Sequence, residues 1–219
     1  GELVRVIYDS GRRLRETIES VLDLAQLESG TMNIELDAVD VTHRAREAYR
    51  LFESHAAQHG LDFHLALPED PVEAELDAAA LDRILNNLIS NAIKFTKKGG
   101  LSLGVARRDG EIAIEVSDTG VGIEEGFQAQ MFEAFKQESE GLDREFEGSG
   151  LGLTITHRLV QLMRGVIDID SEKGEGTTIT VRFPRKQSDP ALGEAAPAAD
   201  PQAEPEAPSQ HKLLAVEDN

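Results

Sequence analysis

The stretch Ser117-Asp118-Thr119-Gly120-Val121-Gly122-Ile123 limits what this chain can be more than any other. A β-rich run ends on an acid, and two glycines follow at once. A carboxylate held at a strand end can accept a hydrogen bond from an exocyclic amine. The glycines admit positive φ and let a flat ring approach the backbone closely. Taken alone, the pattern also fits an ordinary turn. A second cluster, Gly148-Ser149-Gly150-Leu151-Gly152-Leu153, opens an apolar-periodic helix, and backbone N–H groups at a helix start form an anion site. An amine-reading acid followed by an anion-cradling turn points to a purine nucleotide.

The helix expected over residues 78–94, with Asp77 as its N-cap, carries the complementary chemistry. Leu81, Leu85, Leu88 and Ala92, flanked by Ile84 and Ile89, give it a wide apolar face. Asn87, Asn91 and Lys94 recur at i, i+4 and i+7 and so share one stripe. Asparagines on helices usually cap or solvate them and are mildly unfavourable in the interior, so two in register with a lysine favour a functional reading. Their amide oxygens suit Mg2+, which takes oxygen ligands while keeping waters and phosphate oxygens. The lysine can meet phosphate charge.

Around these motifs the patterning predicts a helix over residues 3–29, an extended piece at 32–36 and a helix over 41–59 ending at Gly60. Strands are expected at 61–67 and 72–76, and a hairpin runs through 101–107, Asp109-Gly110 and 111–117. A helix over 149–163 and strands at 166–170 and 177–183 complete the pattern. The first helix repeats Ile7, Gly11, Leu14, Ile18, Val21 and Ala25 at 3–4 spacing, a seam for a partner helix, most simply in a homodimer. Docking of a terminal helix on its own domain is the plainer alternative. Residues 124–147 are polar and glycine-punctuated around one apolar island, Met131-Phe132-Glu133-Ala134-Phe135.

In 219 residues there is room for one substantial domain with appendages. The net charge of -19 argues against nucleic acid or an anionic membrane surface as a partner. Without cysteine the chain has neither disulfides nor thiolate metal sites. No apolar run spans a bilayer, and no signal peptide is visible. Residues 186–211 are rich in Ala, Pro, Glu and Asp and read as a disordered linker, after which residues 212–219 regain strand character.

The motif order resembles that of sensor histidine kinases. Asn87-Leu-Ile-Ser-Asn91-Ala-Ile-Lys94-Phe95-Thr96 is similar to their N box, Asp118-Thr-Gly120-Val-Gly122-Ile123 to the G1 box, and Met131–Phe135 to the F box. Gly148 to Leu153 resembles the G2 box, and Gly174-Glu-Gly176-Thr177-Thr178 the last glycine motif. The resemblance covers residues 37–184. It implies an α+β fold, a two-layer α/β sandwich with a mixed sheet, with a long dimerisation helix in front. It also implies that Asp118 reads the adenine of ATP beside Gly120, Gly122 and Ile123, and that Asn87 and Asn91 face Mg2+. Lys94 would meet phosphates, with Asn87 and Lys94 serving catalysis. Gly148, Ser149, Gly150, Leu151, Gly152 and Leu153 would form a hinge and phosphate contacts for a lid over 124–147. Phe135 would dock with that lid, and Thr177 or Thr178 would complete the adenine site.

Residues 1–30 also resemble the second helix of the kinase dimerisation hairpin, and 212–219 the first strand of a receiver domain with Glu217-Asp218 as half its acidic site. The implied whole is a hybrid kinase, this segment cytoplasmic, with residues 37–185 as catalytic domain. The family's acceptor histidine, followed by an acid and a downstream proline, is not matched by His43, His55, His59, His64, His157 or His211. Two other readings compete. Hydrolytic ATPases of the same fold resemble one another in a glutamate base four residues before the metal-binding asparagine, where this chain has Asn87. A nucleotide-binding module without transfer activity is the other; the intact motifs speak against it.

Overall fold

Described in the computed structural model are residues 2–108, 110–128, 130–136 and 149–184. They form α1 (Glu2–Glu28), β1 (Asp37–Asp40), α2 (Val41–Gln58), β2 (Asp62–Ala66), β3 (Glu73–Leu76), α3 (Ala78–Phe95), β4 (Gly100–Arg108) and β5 (Glu111–Asp118). After these come α4 (Glu125–Gln128), α5 (Gly152–Leu162), β6 (Val166–Glu172) and β7 (Gly176–Pro184).

Large apolar residues at alternate positions of β4, β5 and β7, with small Ala106 and Ala113 on the other face, give a sheet with one dry face. Leu103, Ile112, Ile114, Val181 and Phe183 are fully buried on that face. The sheet order is β2-β4-β5-β7-β6, with β2–β4 parallel and the other pairs antiparallel. The helices α2, α3 and α5 cover the dry face. On the other face Arg182 reaches Asp168 at 2.7 Å and Glu111 at 3.4 Å. This is the expected two-layer α+β sandwich with a mixed sheet.

Several boundaries differ from the sequence reading. Asp37–Asp40 is a strand, paired antiparallel with β3 in a separate two-stranded sheet. Its acids hide it in the sequence, and only Val39 is buried. The last helix starts at Gly152, not Ser149, because Gly150 adopts φ +68° in the turn before it. The expected linker and terminal strand lie outside the described residues.

The helix α1 presents two opposed faces. Leu24 is buried and Leu27 half-buried against the core, the helix packs on α5, and Asp23 pairs with Arg83 of α3. The seam lies about 150° away at 100° per residue, and Ile7, Leu14, Ile18 and Val21 along it are exposed, Ile7 at 63%. Docking on the chain's own domain and an open seam therefore coexist.

Two N-caps start the helices that matter. Asp40 accepts the backbone N–H of His43 at 2.9 Å, and Asp77 accepts that of Ala80 at 2.9 Å. Asp77 also accepts the N–H of Glu35 at 3.0 Å, tying the segment before β1 to the start of α3. Burial opposes its charge, but the N–H groups of Ala80, Glu35 and Ala79 outweigh that and hold the carboxyl below its usual range. Asp77→Ala is expected to lower stability by about 1–2 kcal/mol at neutral pH, read from urea midpoints. A depressed folded pKa gives stability that is present above the unfolded value and lost as pH falls through the folded one. The gap between variant and wild type should therefore close on acidification; a gap that widens toward acid would contradict the cap.

Candidate nucleotide site

Asp118 is the last residue of β5 and stands opposite Thr177 of β7. Its carboxylate accepts the Gly120 N–H at 2.8 Å and the Thr96 hydroxyl at 3.5 Å, with a further bond from the Thr177 N–H. Burial raises its pKa, and those three bonds only partly offset the effect. Thr96 is the residue that ends α3, so one carboxylate joins that helix to the sheet edge.

The turn after Asp118 is wedged between α3 and the β6–β7 hairpin. Val121 N–H donates to the Phe95 carbonyl at 3.1 Å, and Gly174 N–H to the Val121 carbonyl at 2.9 Å. Ile123 N–H donates to Ser171 Oγ at 2.9 Å, and that hydroxyl lies 2.8 Å from Thr177 Oγ1. A Cβ at Gly120 would strike the Phe95 carbonyl oxygen, and one at Gly122, where φ is +62°, the Glu172 carbonyl oxygen. Both positions need glycine because backbone meets backbone there. Thr177 shares the face of Asp118. Thr178 pairs with Ser117 at 2.7 Å on the opposite face, as the β5–β7 register requires.

Along α3, Asn87 and Asn91 are half-buried, and Asn91 Nδ2 lies 3.5 Å from Asn87 Oδ1. Asn87 Nδ2 donates to Thr156 Oγ1 of α5 at 2.8 Å. A Cβ at Gly152 would collide with Asn87 Oδ1, so the start of α5 presses directly on the Asn87 carboxamide. Lys94 Nζ sits 4.6 Å from the centroid of the Phe95 ring. No group of three His, Cys, Asp or Glu side chains is placed for a metal among the described residues. The donors on offer are neutral amide oxygens, a sparse set that fits a hard cation whose other ligands are water and phosphate.

The turn before α5 is held by Phe135 N–H donating to the Gly150 carbonyl at 3.2 Å and by Leu151 N–H donating to Ser149 Oγ at 3.3 Å. Leu151 is fully buried and Leu153 half-buried, packed against the core. Phe135 itself is 66% exposed with φ +65°, away from the Asp118 cluster's hydrogen bonds. Phe132 stacks on His157 of α5, centroids 4.6 Å apart. Gly148, and residues 137–147 of the expected lid, lie outside the described residues. Thr156 and Ser171 are not singled out by the sequence, and Thr96 enters there only as the last residue of the N-box stretch, without its link to Asp118. Thr156 was the most legible of them, a hydroxyl one helical turn past Gly152 and so on its face.

Residues 76–187 match the family described as histidine kinase-, DNA gyrase B-, and HSP90-like ATPases. The circadian input-output histidine kinase CikA of Synechococcus elongatus is 38% identical over 84% of this chain and 25% of its own length. The virulence sensor protein BvgS of Bordetella bronchiseptica is 37% identical over 99% of this chain and 18% of its own length. This chain thus spans a quarter or less of these two relatives. Among solved structures, full-length ShkA in complex with AMPPNP aligns with a TM-score of 0.72 at 31% identity, covering 84% of this chain and 38% of that one. With residues 76–187 matched, over half of its length, the chain belongs to the family of histidine kinase-, DNA gyrase B- and HSP90-like ATPases.

Proposed function

We propose that residues 37–185 are the ATP-binding catalytic domain of a hybrid sensor histidine kinase, which transfers the γ-phosphoryl group of ATP to a histidine. The observation that carries this reading over hydrolysis is Asn87. It occupies the place of a water-activating acid, cannot take a proton, and has its Nδ2 committed to Thr156. The names of the relatives agree with transfer to histidine.

In this reading Asp118 accepts the adenine amine, with Thr177 beside it, while Gly120, Gly122 and Ile123 let the ring lie against backbone. Asn87 and Asn91 face the metal, Lys94 meets phosphate charge, and the backbone around Gly150 to Leu153 holds phosphate oxygens at the start of α5. Bound Mg2+ neutralises phosphate charge. The acceptor ring nitrogen attacks phosphorus with its own lone pair, the bond to the β-phosphate oxygen breaks, and ADP departs with that electron pair. The ring proton passes to solvent, so no base is required of this domain. The open seam of α1 is the surface for a second copy, and residues 212–219 begin a receiver domain. No helix among the described residues is long and apolar enough to cross a membrane.

Asp118→Asn is expected to weaken ATP binding by about 1.5–3 kcal/mol, by loss of a charge-assisted hydrogen bond. Because burial raises the Asp118 pKa, the neutral isostere should leave the ligand-free fold as stable as wild type or more so. For the same reason, wild-type affinity should fall on acidification at a pH above the ordinary carboxylate range. Titration calorimetry and thermal melts measure both quantities. Equal affinity of the wild type for ATP and GTP would remove Asp118 from this role.

The 219-residue chain is also expected to bind ATP with Mg2+ without labelling itself, since none of its histidines has an acidic neighbour. Supplying a hairpin helix that carries an acceptor histidine should give transfer, with an acid-labile, base-stable phosphate. Stoichiometric acid-labile label on this chain alone would contradict the assignment.

A further inference from the structure

We propose that Thr156 is a positioning residue for this site: its hydroxyl holds the Asn87 carboxamide so that Oδ1 is turned toward Asn91 and the start of α5. The inference rests on the reading of Asn87 and Asn91 as the metal-facing pair. A carboxamide has two orientations of nearly equal shape, distinguished only by what its two ends meet. Asn87 Nδ2 donates to Thr156 Oγ1 at 2.8 Å, and Oδ1 faces Asn91 Nδ2 at 3.5 Å. Turning the group over would set two NH2 groups against each other at the Asn91 end.

Thr156 is 1% exposed, so its hydroxyl is a fixed partner and not one that water can replace. Removing it leaves a half-buried Nδ2 without that acceptor, and the carboxamide must rotate to regain one. That rotation carries Oδ1 away from Asn91. Gly152 makes the contact possible: lacking a side chain, it lets Asn87 lie against α5 one turn before Thr156. The same bond joins the helix carrying the asparagine pair to the helix that begins at the phosphate turn. A shift of one helix is therefore felt at the metal-facing oxygen of the other.

The test is titration calorimetry of the 219-residue chain with ATP, in Mg2+ and in EDTA, for wild type, Thr156→Val, Thr156→Ala and Thr156→Ser. Variants lacking the hydroxyl should bind ATP about fivefold more weakly in Mg2+, with Thr156→Ser and all affinities in EDTA within about twofold of wild type. The Asn87 Nδ2 resonance should move in Thr156→Val and return in Thr156→Ser. Thr156→Ala against Thr156→Ser isolates the hydroxyl if the valine variant does not fold. Unchanged affinity in Mg2+ without the hydroxyl overturns the proposal, and so does an equal loss in EDTA, which would mark a packing role. Wild type that binds ATP equally in Mg2+ and EDTA removes the metal-facing reading and this proposal with it. Wild type that binds no ATP overturns the nucleotide site as a whole.

Discussion

Leu81, Ile84, Leu85, Leu88, Ile89, Ala92 and Ile93 are all buried, and together they fix the rotation of α3 on the sheet. Each fully buried Leu or Ile is worth about 1.5–3 kcal/mol, while a single polar contact contributes about 1 kcal/mol net. No polar preference can therefore turn this helix. With the apolar face committed, the flank bearing Asn87 and Asn91 meets α5, and the end of the helix delivers Thr96 to Asp118. The site is a by-product of how one amphipathic helix is seated.

The glycines act on a different scale. They set how close backbones come once the helices are placed. A Cβ at Gly176 would strike the Asp118 carbonyl oxygen, as one at Gly122 would strike Glu172. The turn after Asp118 is thus clamped by main chain on two sides, with no side chain between. Within it sits an acid that burial disfavours in its charged form. Asp118 stands against its own solvation, and carboxylates perturbed in this way concentrate at functional sites.

Much of this was legible in the sequence because the signals were local. The cap at Asp77, the hairpin through Gly110 and the face of α3 follow from spacing and residue type alone. The family motifs supplied the roles. What escaped was tertiary. The acidic stretch Asp37–Asp40 is a strand because β3 offers it a partner, a fact held 33 or more residues away. Thr177 and Thr178 look alike in sequence, and only the register against Asp118 and Ser117 puts them on opposite faces. Thr96 and Ser171 matter through partners on other elements, which no periodicity reveals, and the helical spacing of Thr156 gives its face but not its partner.

Among the described side chains of α1, those that hold it to the core, Leu24, Leu27 and the Asp23–Arg83 pair, lie near its C-terminal end, which gives the helix the geometry of a cantilever. Its remaining length, with exposed side chains at Val4, Ile7, Tyr8 and Leu14, gives an arm of about 30 Å at 1.5 Å per residue. A tilt of about 10° at the anchor displaces the far end by about 5 Å on that arm. On that geometry a small tilt beside α5 would be a large displacement at the tip, and a load on the tip would act with leverage on the helix that carries Thr156.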